Sequence, residues 1–195
     1  MIPYPKKDTP LDAPIIDPIR DRWSPLAFDP TPLKEEEIRS LFEAARWAAS
    51  SYGEQPWRYI YAGKNDEGRD AMESLLVDGN SWAKNAGLLI TGFAKKTFTN
   101  GKPNGCHVHD TGAASALLTI QATAMGLITH QMAGFDYGRA NEALGVPADF
   151  EATSMIAVGH PGDPALLSPD LQARQDNPRS RMPQEKFAMR GTFQA

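Results

Sequence analysis

The stretch Ser50-Ser51-Tyr52-Gly53-Glu54-Gln55-Pro56-Trp57 separates two periodicities, and the fold is read outward from it. Upstream, Ile38, Leu41, Phe42, Ala45, Ala48 and Ala49 recur at helical spacing and make one apolar stripe on a charged segment. Thr31 is the expected N-cap of this helix and Pro32 its first residue, with Glu35, Glu36 and Glu37 facing the positive end of the dipole. Downstream, Arg58-Tyr59-Ile60-Tyr61-Ala62 is short, aromatic and β-branched, a strand closed by Gly63. The residues between are a helix-to-strand connection that admits two readings. Its hydroxyls, carboxamide and glycine backbone suit a polar planar ligand. Gly53 and Pro56 equally suit a left-handed helix cap followed by a turn.

The same alternation continues along the chain. A second helix is expected from Asp66 to Val77, burying Met72, Leu75 and Leu76. Gly87-Leu88-Leu89-Ile90-Thr91-Gly92-Phe93-Ala94 is a continuous apolar run of strand length, which predicts a central strand buried on both faces. Asn100-Gly101 and Asn104-Gly105 mark turns. Thr111 to Met125 is a helix of small and apolar residues almost all round, ended by Gly126, so it should be covered on several sides. Leu127 to Met132 reads as a strand, Asp136 as the cap of a helix running to Leu144, and Thr153 to Val158 as a further strand. Helices and strands alternating in this way indicate an α/β or α+β sandwich.

With 195 residues, 41% of them hydrophobic and 23% charged, one globular domain with one substantial core is expected. Prolines at positions 3, 5, 10, 14 and 18 exclude a regular helix over residues 1–19, which read as an extended arm suited to a partner subunit, leaving 20–195 as the domain. The net charge of -4 gives no electrostatic case for nucleic acid or an anionic membrane. No apolar run approaches the roughly 20 residues of a membrane span. The N-terminus lacks a signal-peptide core, so a cytoplasmic protein is expected. Cys106 stands alone, which excludes an intrachain disulfide or a multi-cysteine zinc site. His107 and His109, expected on one face of a strand, have only Cys106 and Asp110 beside them, too few ligands for a metal site. No G-x-G-x-x-G or Walker fingerprint is present.

Two arginines and a serine lie close together in Arg20-Asp21-Arg22-Trp23-Ser24, a donor set that suits a phosphate. Ion pairs of Arg20 or Arg22 with Asp17 or Asp21 are the alternative. The polar tail carries Arg174, Arg179, Arg181 and Arg190.

Five separated segments, in order, resemble the nitroreductase family of FMN-dependent oxidoreductases. Arg22-Trp23-Ser24 with Ala27-Phe28 is similar to its N-terminal phosphate segment, and Ser50-Ser51 with Gln55-Pro56-Trp57 to its flavin loop. Gly126-Leu127 followed by Gly134-Phe135-Asp136 resembles the stretch facing the reactive edge of the ring. Val158-Gly159-His160-Pro161 matches a strand end, and Pro178-Arg179-Ser180-Arg181-Met182-Pro183 the basic segment that returns to the phosphate.

The resemblance implies an α+β fold, a three-layer α/β/α sandwich with a mixed central sheet, and a homodimer with flavin between subunits. It implies FMN held by Arg22, Trp23, Ser24, Ser50, Ser51, Gln55, Met132, Ala133, Gly134, Arg179 and Arg181, with Gly134 allowing close backbone approach to the ring. It implies hydride transfer from NADH or NADPH to a small nitroaromatic, quinone or activated-alkene acceptor. Because the cofactor carries that chemistry, no general acid or base is named. A flavin-binding module without turnover, or a different reaction such as reductive dehalogenation, fits the same motifs. Leu26, Gly53 and Ala133 depart from the family pattern, and the physiological acceptor is left open by them.

Overall fold

The computed structural model describes residues 2–193. Its centre is the strand that the apolar run predicts, β3 (Leu88–Lys95), with every residue but the last buried. It pairs with β2 (Trp57–Gly63) along one edge and with β5 (Phe150–Pro161) along the other, placing Ile90 between Tyr61 and Ile156. β5 pairs in addition with β4 (Ile128–Met132) and, at its C-terminal end, with the two-residue β1 (Phe28–Asp29).

All four pairings are antiparallel, so the expected mixed sheet is corrected to an antiparallel one. Helix–strand alternation fixes strand direction only when the strands that a long helix links are neighbours. Here the long helix α4 (His107–Ala124) links β3 to β4, and β5 lies between them.

Strand alternation sorts the interior into two cores. Leu89, Phe93, Met155 and Ala157 face one side, where they meet Met72, Leu75, Trp82 and Ala140. Leu88, Ile90, Ile156 and Val158 face the other, against Leu41, Ala45, Leu118 and Ala122. Helices α3 (Arg69–Glu73) and α5 (Tyr137–Ala143) supply the first side, α2 (Glu35–Arg46) and α4 the second. This is the three-layer α+β arrangement. Each buried leucine contributes about 1.5–3 kcal/mol.

Local chemistry moves several boundaries. Helix α2 begins at Glu35 rather than Pro32, because Asp29 Oδ1 accepts the Thr31 N–H (2.8 Å) and holds that residue in a turn. Lys34 is the N-cap, and its N–H donates to Glu37 (2.8 Å). Helix α3 is shorter than expected, since Asp66 is drawn into a turn by the Gly63 N–H (2.7 Å). His107 and His109 lie in the first turn of α4 rather than on a strand. Asn104 Oδ1 accepts the Cys106 N–H (3.0 Å), turning the chain into the helix early.

The proline-rich arm packs against its own chain. Trp23 Nε1–H donates to Pro5 O, and the Gln184 N–H donates to Asp12 Oδ2 (3.2 Å). The tail, through α6 (Pro169–Asp176), returns to the sheet edge. There the buried Gln175 Oε1 accepts N–H bonds from Leu26 (2.8 Å) and Ala27 (3.0 Å).

Candidate cofactor site

The short helix α1 (Asp17–Asp21) and its C-cap Arg22 treat their two arginines differently. Arg20 pairs with Asp17 (2.8 Å) and Asp21 (2.7 Å), as the ion-pair reading has it. Arg22 has no carboxylate partner among the described residues and only approaches Ser24 Oγ (3.4 Å). Burial first, then the neighbouring Arg179 and Arg181, push the Arg22 pKa below the usual guanidinium range. The half-buried Arg22 is therefore held beside like charges.

Those charges surround a cavity of about 320 Å³. Arg22, Trp23, Ser24, Arg179 and Arg181 line it, all from the expected set, together with Lys7 and Arg174. Five cations thus meet, and no carboxylate lines the cavity among the described residues. Such a cluster is repulsive on its own and fits a multiply charged anion. The donor set, guanidinium groups, one ammonium and the hydroxyls of Ser24 and Ser180, is suited to phosphate.

Arg179 is the most committed of the five. Its guanidinium donates to Arg20 O (2.7 Å), Arg22 O (3.0 Å) and Thr9 Oγ1. It sets the backbone of the Arg22 segment as well as adding charge.

A second cavity of about 280 Å³ shares Arg22 and Ser24 and runs along α4 past Ala116, Thr119 and Ile120, with the Gln131 amide beside it. Gln131 was not legible as a site residue. Its signal is the strand alternation that buries Met132: one residue earlier, the side chain leaves the core. Met132 itself is buried in the first core, so its side chain is unavailable to a ligand and only its backbone can contribute.

The end of β4 places Gly134 in a tight position. Gly134 O accepts from Asn80 Nδ2 (2.9 Å) and Val77 N–H (3.4 Å), while no partner for the Gly134 N–H is found among the described residues. A Cβ on Gly134 would come 2.5 Å from Asn80 Nδ2, so a larger residue there would displace the amide that bonds Gly134 O. Ala133 is exposed beside it.

Ser50, Ser51 and Gln55 are not brought to these cavities within one chain. They sit at the opposite end of α4, where the Ser51 N–H donates to Asp110 Oδ2 (2.9 Å). From Asp110 to Thr119 is about 14 Å along the helix at 1.5 Å per residue. Ser50 Oγ accepts the Gln55 N–H (3.0 Å), and Glu54 accepts from Thr99 N–H (3.1 Å) and Oγ1–H (2.7 Å). The turn is present, but Gly53 does not cap the helix, since α2 ends at Arg46 with Trp47 as its cap (φ -88°), and the loop carries more strain than that reading implies. Tyr52 (φ 54°), Gly53 (φ 68°) and Gln55 (φ 48°) are all left-handed, and Tyr52 stands 95% exposed. Asp110, buried at the foot of this loop, is a positioning residue that its place in a helical run conceals.

A family model described as "Nitroreductase family" matches residues 19–108. A protein of Mycolicibacterium smegmatis, named only as an uncharacterized 15.4 kDa protein in the ask 5' region, is 39% identical over 128 residues, 66% of this chain and 86% of its own. Protein DrgA of Synechocystis sp. is 31% identical over 174 residues, 73% of this chain and 82% of its own. A relative from Xanthomonas oryzae pv. oryzae, provisionally named NADH dehydrogenase/NAD(P)H nitroreductase, is 25% identical over 73% of this chain and 82% of its own. A solved oxidoreductase containing FMN superposes with a TM-score of 0.92 at 34% identity, covering 97% of this chain and 98% of that one.

Proposed function

We propose that this chain, which belongs to the nitroreductase family, is an FMN-dependent oxidoreductase taking hydride from NADH or NADPH for a small nitroaromatic, quinone or activated-alkene acceptor. The observation that carries the reading is the carboxylate-free cluster of cations opening into an apolar cavity along α4. One end matches a dianionic phosphate and the other a flat ring system. The FMN content of the solved relative and the nicotinamide donor in the Xanthomonas relative's name support it.

FMN, when bound, supplies the hydride-accepting and hydride-donating chemistry. The chain's own residues bind and orient. Arg22, Arg181 and the Ser24 hydroxyl would hold the phosphate, and Arg179 would keep the Arg22 backbone in place. Trp23 would form the floor beside Lys7, and Gln131 would offer its amide to the polar part of the ligand. The unpaired Gly134 N–H is a donor at the end of β4 for the ring edge.

A homodimer completes the site in this proposal. The outward face of α4 leaves Val108 47% and Leu117 37% exposed. Loop and cations lie at opposite ends of α4, so a two-fold axis crossing its middle would bring Ser50, Ser51 and Gln55 of one copy toward the cations of the other. A cytoplasmic enzyme acting on a small-molecule acceptor, without nucleic acid, membrane or bound metal, is the form we propose. No helix among the described residues is long and apolar enough to cross a membrane.

The test is the absorbance spectrum of the purified protein, before and after NADH or NADPH, followed by turnover with an acceptor panel. A yellow protein, bleached by nicotinamide and reoxidised by acceptors, is expected. A colourless protein that takes up no FMN would overturn the cofactor assignment. A flavin that is never bleached would leave only a binding module.

A further inference from the structure

The arm supplies one of the five cations, and nothing in its sequence pattern marks Lys7 for that place. Lys7 Nζ donates to Gln175 O and to Asn177 O (2.7 Å), and lies 4.3 Å from the centre of the Trp23 ring. Two residues on, Thr9 Oγ1–H donates to Arg20 O (3.1 Å) and the same oxygen accepts from Arg179. Closer to the N-terminus, Tyr4 Oη–H donates to Asp21 O (3.2 Å). Three segments remote in sequence are therefore tied at the cavity: the arm, the Arg22 segment and the Arg-bearing tail.

We infer that residues 4–12 form a strap over the anion site, and that Lys7 is a ligand of the bound phosphate whose docking and phosphate binding reinforce each other. This rests on the phosphate assignment above. Docking the strap without an anion brings a fifth cation up to four others. Burial and the nearby Arg179 hold the Lys7 pKa below the usual lysine range, with Asp176 partly offsetting them. A dianion in the cavity reverses the sign of that interaction, so each event favours the other by the same factor. Prolines 5 and 10 restrict the undocked strap, which lowers the entropy lost when it docks.

The experiment measures FMN and riboflavin affinity by flavin fluorescence for the full-length wild type, Lys7→Met, Lys7→Arg and Thr9→Val. It also follows hydrogen exchange of residues 4–12 with and without inorganic pyrophosphate. Lys7→Met should weaken FMN by about tenfold or more, as for loss of a charged hydrogen-bonding partner, and riboflavin by less than about twofold. Lys7→Arg should restore most of the difference. Thr9→Val, which leaves the charge count unchanged, should weaken FMN several-fold. Pyrophosphate should slow exchange in the strap of the wild type and not of Lys7→Met.

Equal losses for FMN and riboflavin in Lys7→Met would make the lysine merely structural and overturn the inference. So would strap exchange indifferent to pyrophosphate. Wild type binding FMN and riboflavin alike would instead defeat the phosphate assignment itself. A wild-type preference for FMN that survives in Lys7→Met would sink the strap alone.

Discussion

The two ends of α4 stand in contrast. At one end, Arg22 and its neighbours face each other across a cavity without a carboxylate, and burial first, then nearby arginines, hold Arg22 and Arg179 below the usual guanidinium range. At the other, carboxylates are hydrogen-bonded: Asp110 takes the Ser51 N–H and meets His109 Nδ1 (3.0 Å), Glu54 takes Thr99, and His107 lies between Asn104 O and Glu151 Oε1 (2.7 Å). The cationic end is electrostatically incomplete and gains by binding. The loop end is mostly hydrogen-bonded, although Asn104 Nδ2 and Thr111 Oγ1 are buried without a partner among the described residues, and it holds backbone strain, with Tyr52 thrown outward. Within one chain, phosphate recognition is thus concentrated at one end of the helix and loop geometry at the other, and substitutions at the two ends should move different observables.

The most severe expected effect lies between the ends, on the face of α4 that would join two copies. Leu117→Arg would put a charge in an apolar seam, giving monomer or aggregate and loss of bound FMN, read by light scattering and absorbance. A wild-type monomer with full flavin occupancy would break the shared-site arrangement. Next is the cationic end, where Arg22→Ala should cost about 1.5–3 kcal/mol of FMN affinity, roughly ten- to 150-fold. The apo protein should melt no lower, because repulsion within the cluster is relieved. A fall in apo melting temperature with FMN affinity intact would invert the comparison. The exposed Arg181, changed to Ala, should lie near the lower end of that range.

Asp110→Ala should show the opposite pattern. Leaving the Ser51 N–H unpaired should remove about 1–2 kcal/mol of folding stability, measured by urea unfolding, while the ratio of FMN to riboflavin affinity stays fixed. A changed ratio would mean that the loop end reads the phosphate after all.

The smallest effect concerns His130, which packs tilted against Trp82 (4.5 Å) and bonds Pro25 O through Nδ1 (3.0 Å), beneath the Ser24 segment. Burial first, then Arg174 and Arg22, hold its pKa below the usual histidine value. The folded state therefore prefers the neutral ring. Its contribution is complete above the unfolded pKa of about 6.5 and is lost as pH falls from there toward the folded value. The drop in urea midpoint between pH 7.5 and 5.5 should shrink in His130→Gln. An identical drop in both proteins would assign that pH dependence to other groups.

Much of the scaffold is legible without coordinates. The run from Leu88 to Ala94 has no polar face, so it is central wherever it is placed, and Ile38, Leu41 and Ala45 can only lie on one side of a helix. Strand direction is not legible, because the hydrophobic pattern is the same whichever way a neighbour runs. The start of α4 is obscured by Asn104, whose side chain turns the chain into the helix ahead of the expected Thr111. Of the site, Arg22, Ser24 and Arg181 stand out by residue type. Arg179 stands out equally, yet three of its bonds go to the chain itself. Lys7 and Gln131 carry no motif, since one sits in an irregular arm and the other is simply the outward residue of an edge strand.

By itself, then, the sequence determined which residues face a core, where helices give way to strands, and that arginines crowd the two ends of the chain. Apolar periodicity is local, and burial follows from it within a few residues. Only the tertiary structure decided which charges meet. Arg179 and Arg22 are 157 positions apart yet share a hydrogen bond, and Lys7 reaches them from the arm. Electrostatic interaction depends on distance through space, and that distance is fixed only when the arm and the tail close on the same edge of the sheet.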